Sequence, residues 1–397
     1  MLSPRRKLLR GSSPLILSLL VAACSFAPPP AALHPSGGAA SSSPPAGLAP
    51  SSVPLFVVFG FDDNGISGSP GSQTTGGVRW VRELFNGQTN PAGSGNPRTF
   101  DGTPARFSLY LATRYIEVED TDRPEYLKAE LRAVADAGHE IGVHTHNHSH
   151  GEAFSSDQWS AEIATCKSWL VRQFTPAEAA SASTGLGLPS DSIQGFRAPF
   201  LEFGPALFPA LREQGMRYDC SVEEGFEPEF DGANLAWPYR VAEGYGGGAG
   251  AAPSGAVLWE LPVYALTVPP DEECARYGVQ PGLRRRLHEK VDYFHADDGK
   301  ITGFDWNLWV EFGLTPAEFV ATLRYSLDRR LAGNRAPFTF GTHSDIYSEQ
   351  YETLPNSTAE ERRRALAEVL ADALARPEVR VVSARQLVDW LENPAPF

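Results

Sequence analysis

Leu55-Phe56-Val57-Val58-Phe59-Gly60-Phe61-Asp62-Asp63 is the stretch on which the fold turns. Its first five residues are a continuous apolar run, the pattern of a strand buried on both faces. It ends on two adjacent carboxylates, Asp62 and Asp63, which are costly there unless something binds them. Successive strand side chains face opposite ways, so the two can take different roles. A pair of turn-capping aspartates would look the same in isolation.

Outward from this stretch, strand and helix patterns alternate. Residues 106–112 (RFSLYLA) read as a second strand, and 140–143 as a short third. Leu127, Leu131, Val134 and Ala135 form a helical stripe that stops at Gly138, and Trp159, Ile163, Cys166 and Leu170 form another. Thr315-Pro316-Ala317-Glu318 is a capping box with Pro at the first helical position, opening a helix with Phe319, Leu323, Leu327 and Leu331 on one face and Gly333 at its end. Thr358 and Glu361 repeat the box ahead of Leu366, Val369 and Leu370. Residues 379–382 read as a last strand, and Ser383 caps a final helix through Trp390. Such alternation implies parallel strands with right-handed crossovers, so an α/β fold is expected: a distorted (β/α) barrel of about seven parallel strands with long loop insertions in one domain. An open doubly wound sheet is the alternative. No G-x-G-x-x-G or P-loop follows any strand, which speaks against nucleotide binding. Residues 64–103 and the Gly-rich 242–255 read as loops long enough to cover a site.

The 397 residues are 42% apolar and include 22 Phe, 12 Tyr and 8 Trp, enough for a large core and too apolar for a disordered chain. Formal charge is −14, which makes the chain a poor candidate for nucleic acid and suits a neutral or cationic substrate better than an anionic one. Four cysteines are too few for a disulfide framework. Cys166 falls on a helical stripe and reads as core. Cys220 and Cys274 would be able to pair in an oxidising compartment.

Residues 1–23 read as a signal peptide. Arg5, Arg6, Lys7 and Arg10 precede a short apolar run that ends Val21-Ala22-Ala23-Cys24. Small residues before a cysteine resemble a bacterial lipobox, so Cys24 is expected to become a lipidated first residue; an ordinary secretory signal is the plainer alternative, and the Arg pair weakly resembles a twin-arginine export signal. Residues 24–52, rich in Pro, Ala and Ser, read as a tether, and 53–397 as the folded domain. This arrangement places an exported, lipid-anchored protein on the cell envelope, at the outer membrane or cell surface.

Five of the nine histidines lie between 139 and 150. In His144-Thr145-His146-Asn147-His148-Ser149-His150, a helix or turn puts His144 and His148 on one face and His146 and His150 on the opposite one, so spacing alone does not choose between the pairs. Two imidazoles and a carboxylate suit zinc or cobalt better than magnesium and leave open positions for water and substrate.

Phe61-Asp62-Asp63 followed by His144-Thr145-His146-Asn147-His148 resembles the first two motifs of the polysaccharide deacetylases, metal-dependent carbohydrate esterases. Arg197-Ala198-Pro199-Phe200 resembles the third. Tyr218-Asp219-Cys220-Ser221, Trp237-Pro238-Tyr239, Trp259-Glu260-Leu261-Pro262, Asn334-Arg335-Ala336-Pro337-Phe338 and the C-terminal QLVDWLENPAP are similar to the chitin-deacetylase-like subgroup. The resemblance implies Asp63, His144 and His148 as metal ligands, Asp62 as general base, Arg197 as its partner, Phe200 as donor of a backbone N–H to the oxyanion, and His343 as the acid that protonates the departing amine. It implies Zn²⁺ as cofactor, with Co²⁺ or another divalent transition metal as the alternative. Two departures stand out: Gly60 and Asn64 replace the usual Thr and Gly of the first motif, and Phe340-Gly341-Thr342-His343 replaces a Leu-x-x-His pattern. The carboxylate that tunes the acid is left open between Asp219 and Asp305.

The chemistry fits these residue types. Amide hydrolysis needs a strong nucleophile at neutral pH, stabilisation of the oxyanion and an acid for the amine. The expected activity is N-deacetylation of N-acetylglucosamine-containing glycans such as chitin or chitooligosaccharides, by a monomer with a neutral N-acetylated glycan as its partner. Peptidoglycan N-acetylglucosamine is the near alternative. A non-catalytic glycan-binding surface lipoprotein and a cyclic-amide hydrolase on the same barrel are the more distant ones. Phe304-Asp305-Trp306-Asn307-Leu308-Trp309 is dense in aromatics, and either tryptophan reads equally as core or as a sugar platform.

Overall fold

All eight residues of β1 (Leu55–Asp62) are buried, as the apolar run requires of a strand covered on both sides. The computed structural model describes residues 41–72, 75–241, 257–351 and 353–397. In it β1 belongs to a nine-stranded sheet with β2 (Ser108–Leu111), β3 (Glu140–Val143), β4 (Gly195–Phe196), β5 (Tyr218–Asp219), β6 (Tyr239–Arg240), β7 (Trp259–Glu260), β8 (Phe338–His343) and β9 (Val379–Val381). Hydrogen-bonded neighbours run β8-β1-β2-β3-β4-β5-β7-β6, and β9 pairs with the first half of β1. All these pairings are parallel except β6 with β7. The sheet curls into a half-barrel, which is the expected α/β architecture with one strand reversed.

The two faces of β1 serve different cores. Leu55, Val57, Phe59 and Phe61 join the larger cluster, shared with Leu127 and Leu131 of the helix Pro124–Asp136, Ile163 of Ser156–Val171 and Leu323 of Pro316–Ala332. Phe56 and Val58 face the interior of the half-barrel with Tyr110, Tyr218, Trp237, Trp259 and Trp390. Phe56 and Trp390 rings lie 4.8 Å apart. Trp237 Nε1 donates to the Asn334 carbonyl at 3.2 Å, and Trp259 Nε1 to Glu392 at 3.2 Å. The residues that resemble the chitin-deacetylase subgroup thus meet one another as packing. Trp309 is core as well, stacked on Phe319 at 4.2 Å.

Capping boxes form at Thr315, Thr358 and Ser383 as their sequences require, and a further one at Ser155. Segment 64–103 is not the loop it resembles in sequence. It contains the helix Gly77–Phe85, whose Val78, Val81 and Phe85 are buried at i, i+3, i+7. Its far end is stitched to β9: Asn90 exchanges two hydrogen bonds with the Val381 backbone (2.7 and 3.1 Å), and Arg380 donates twice to Asp101 Oδ1 (2.7 and 2.9 Å). Residues 41–52, read as the end of a tether, lie against the domain. Ser41 O accepts from Trp237 N at 2.8 Å and Ser52 O from Phe397 N at 2.9 Å.

The Cys220–Cys274 disulfide is not formed. Both are free buried thiols, Cys220 Sγ 3.2 Å from the Phe196 carbonyl and Cys274 Sγ 3.8 Å from that of Pro269. The signal segment and Cys24, with the Gly-rich 242–255, lie outside the described residues. No helix among the described residues is long and apolar enough to cross a membrane.

Both side chains of the Asp101–Arg380 pair are fully buried. Asp101→Ala would leave the guanidinium uncompensated, and chemical denaturation should show a loss of about 3–5 kcal/mol. A loss well under 1 kcal/mol would mean that solvent reaches Arg380.

Candidate functional site

The chemistry-bearing residues gather where parallel strands end. Asp62 closes β1 directly opposite His343, the last residue of β8. His144 follows β3 and Arg197 follows β4. A ring of strand C-termini is the part of such a sheet where loops are free to carry side chains chosen for chemistry.

After Asp62 the chain turns sharply. Asp63 and Asn64 both adopt left-handed backbone, φ 64° and 66°, a conformation that side chains with a Cβ rarely take. Asn64 makes it tenable: its Nδ2 donates to the carbonyls of Phe61 at 2.9 Å and Tyr110 at 3.0 Å. Asp345 accepts the next two amides, Gly65 at 2.9 Å and Ile66 at 3.0 Å. The turn swings the Asp63 carboxylate toward the histidine segment, whose backbone is not helical. Thr145 and His148 are themselves left-handed (φ 65° and 54°), and Glu162 accepts the His146 and Asn147 amides at 2.9 Å each.

That bend selects one histidine pair. His144 Nε2 lies 3.4 Å and His148 Nε2 2.8 Å from Asp63 Oδ1. His146 turns away to Thr113 Oγ1 (3.0 Å) and Glu117 (3.0 Å), and His150 to Glu202 (2.7 Å). Ligand atoms of Asp63, His144 and His148 all fall within 4.8 Å of one another. Their chemistry fits a cation. The Arg197 carbonyl, 2.8 Å from His144 Nδ1, can only accept, so the proton of that ring sits on Nδ1 and its Nε2 lone pair faces the carboxylate. Two lone pairs at that distance need positive charge between them. Burial alone would raise the pKa of Asp63, but the charge of His148 and the contacts with the two imidazoles hold it well below the usual carboxylate range, so it stays ionised.

Arg197 is 2% exposed and lies between the Tyr110 and Phe304 rings, 4.5 and 5.2 Å from their centroids. Its Nη1 donates to Asp62 Oδ1 at 2.8 Å and its Nε to the Cys220 carbonyl at 3.0 Å. Burial would lower the pKa of the guanidinium, but Asp62 more than reverses this and keeps it charged. Gly60 leaves the room it occupies, since a Cβ there would lie 2.8 Å from Nη1 and 2.9 Å from Nη2.

His343 Nδ1 is 2.7 Å from Asp305 Oδ1. Asp305 is fully buried, and its Oδ2 accepts from Thr342 Oγ1 (2.7 Å) and the His343 amide (3.0 Å). Burial would lower the His343 pKa; the charge and hydrogen bond of Asp305, with the charges of Asp63 and Asp62, instead raise it to about 9. Asp305, left open in the sequence beside Asp219, is therefore the carboxylate that meets His343. Nothing in its spacing marks it, because the contact joins residues 38 apart. Asp219 does something else. It accepts from Ser221 Oγ at 2.7 Å, and Ser221 Oγ accepts the Ala198 amide at 2.8 Å, which braces the Arg197–Phe200 loop. Phe200 is left-handed (φ 58°), with its ring 4.6 Å from His148 and stacked on His150 at 4.1 Å. Sequence reading noted Asn64 only as a departure and missed Asp345 and Glu162; all three hold backbone amides or carbonyls.

The polysaccharide deacetylase family model matches residues 99–218, from the approach to β2 through β5. Chitin deacetylase 1 of Bombyx mori is 23% identical over 357 residues, 88% of this chain and 53% of that protein. Chitin deacetylase 8 of Bombyx mori is 24% identical over 359 residues, 89% and 74%. The chain thus spans about half the length of the first of these relatives. Among solved structures, one assigned to a polysaccharide deacetylase of Mycobacterium smegmatis covers 85% of this chain and 91% of its own at 16% identity and a TM-score of 0.50, a likeness of fold. Residues 99–218 thus match a polysaccharide deacetylase domain, and the chain over most of its length is similar to chitin deacetylases.

Proposed function

We propose that this protein is a metal-dependent N-deacetylase that hydrolyses acetamide groups of N-acetylglucosamine-containing glycans, chitin or chitooligosaccharides, to free amine and acetate. What carries the reading is the convergence of a cation-seeking triad, Asp63, His144 and His148, with two proton-handling groups on adjoining strands, Asp62 and His343. A divalent ion there, zinc first and cobalt second for this donor set, would lower the pKa of a water to about 7 and polarise the acetyl carbonyl.

Asp62, paired with the Arg197 guanidinium, accepts the proton of the attacking water. The Phe200 N–H is offered to the developing oxyanion, a contact of a kind commonly worth about 3 kcal/mol. His343, protonated at neutral pH because of Asp305, gives its proton to the departing amine. A module that only bound glycan would need neither proton carrier, which disfavours the non-catalytic reading. The chitin deacetylases among its relatives favour chitin-like glycan over peptidoglycan. In the same reading, residues 1–23 direct export and lipidated Cys24 holds the domain on the cell envelope. Acetate release from chitooligosaccharides by the zinc- or cobalt-loaded chain is the decisive measurement. Absence of release from chitin and peptidoglycan fragments alike, with metal bound, would overturn the proposal.

The roles separate by mutation. Asp63→Ala should lose the metal by elemental analysis. Asp62→Asn should keep it and drop kcat by roughly 10²- to 10⁴-fold. A near-normal rate for Asp62→Asn would remove Asp62 as the base.

The acid role carries a pH sign. His343 is active when protonated, so kcat should fall as pH rises through its raised pKa. Asp305→Asn removes the charge that raises it, and the alkaline limb should move down by about 1–3 pH units. A limb that stays in place would dissociate it from His343.

A further inference from the structure

Four rings form a row that leads out of the site. His144 and His148 centroids are 5.0 Å apart, Phe200 stands 4.6 Å from His148, and His150 lies flat on Phe200 at 4.1 Å with planes 9° apart. Side-chain exposure rises along the row, 2% at His144, 16% at His148 and 60% at His150. The outermost ring is held rather than loose. Glu202 Oε2 takes its Nδ1 at 2.7 Å, and a parallel bridge between Gly151 and Phe203 laces together the two loops that carry the pair. Hydrolysis as derived above gives His150 nothing to do, since it neither joins the triad nor contacts Asp62 or His343.

A flat ring packed on a second ring and open to solvent suits the C–H face of a pyranose. The free edge of the imidazole and the half-exposed Glu202 carboxylate offer hydrogen bonds to ring hydroxyls around it. We propose that His150, seated on Phe200 and fixed by Glu202, is the platform for a sugar unit next to the one that loses its acetyl group, so that it sets the preference for oligomers over short substrates. This rests on the glycan reading above.

The test uses the zinc-loaded full chain and chitotetraose, with binding followed by calorimetry and turnover by acetate release across chitooligosaccharides of increasing length. His150→Ala should weaken tetraose binding and raise its KM about threefold to tenfold, the worth of one ring stack, with kcat moved less than twofold. His150→Trp should restore both. Unchanged affinity and KM in His150→Ala, or a fall in kcat with KM unmoved, would overturn the platform and leave the ring as a prop for Phe200. Wild type that binds tetraose through His150 yet releases no acetate would sink the deacetylase reading and keep the platform. Wild type that binds no tetraose would sink the platform itself.

Discussion

One buried guanidinium ties the site together. The side chain of Arg197 grips Asp62, while its own main-chain carbonyl fixes the tautomer of His144. A single residue therefore fixes both the placement of a carboxylate and the direction of an imidazole lone pair. Taking such a charge out of water is expensive, and removing one partner of a buried pair commonly costs about 3–5 kcal/mol. The chain meets that cost with Asp62, the Cys220 carbonyl and the two aromatic faces of Tyr110 and Phe304. Because the charge cannot leave, the strands that surround it are held in one register.

The inside of the half-barrel grades along its length. On β1 the inward residues are Phe56, Val58, Gly60 and Asp62: aromatic, aliphatic, absent, charged. Trp390 plugs the aromatic end, and Arg197 fills the gap left by Gly60. Between them Tyr110, Tyr218 and Glu140 form a hydrogen-bonded chain, 3.2 and 2.9 Å per link. Aromatic packing is concentrated at one end and charged and titratable groups at the other, which lets the motifs of the second kind sit on loops without weakening the barrel.

Much of this was legible in the sequence, and the reason is local. The apolar run of β1, the capping boxes at Thr315 and Thr358, and the helical stripes are short-range patterns that depend on a few neighbouring residues. The helix Gly77–Phe85 was lost among surrounding Gly, Asn and Pro despite its Val78, Val81, Phe85 spacing. What stayed hidden are contacts between residues far apart. Asp305 reaches His343, Asp345 reaches Gly65, and Glu162 reaches His146, and no periodicity encodes any of them. The choice of His144 with His148 over His146 with His150 belongs here too. It follows from left-handed backbone at Thr145 and His148 and not from helical spacing, so the pair that meets Asp63 was within reach of a rule that does not apply.

Asn64, at the place where the polysaccharide deacetylases it resembles usually have glycine, shows how such a bend is maintained. A glycine at that position would supply backbone freedom and nothing more. Asparagine is among the few residues that tolerate left-handed backbone, and here its amide spans two strand ends, Phe61 on β1 and Tyr110 on β2. The turn that aims Asp63 is thereby fastened to the sheet on one side and, through Asp345, to the segment after His343 on the other. Strained backbone persists only where its surroundings over-determine it, and the strain at Asp63 and Asn64 is bounded by both strands that carry Asp62 and His343. The departure from the family pattern therefore strengthens the aim of the carboxylate.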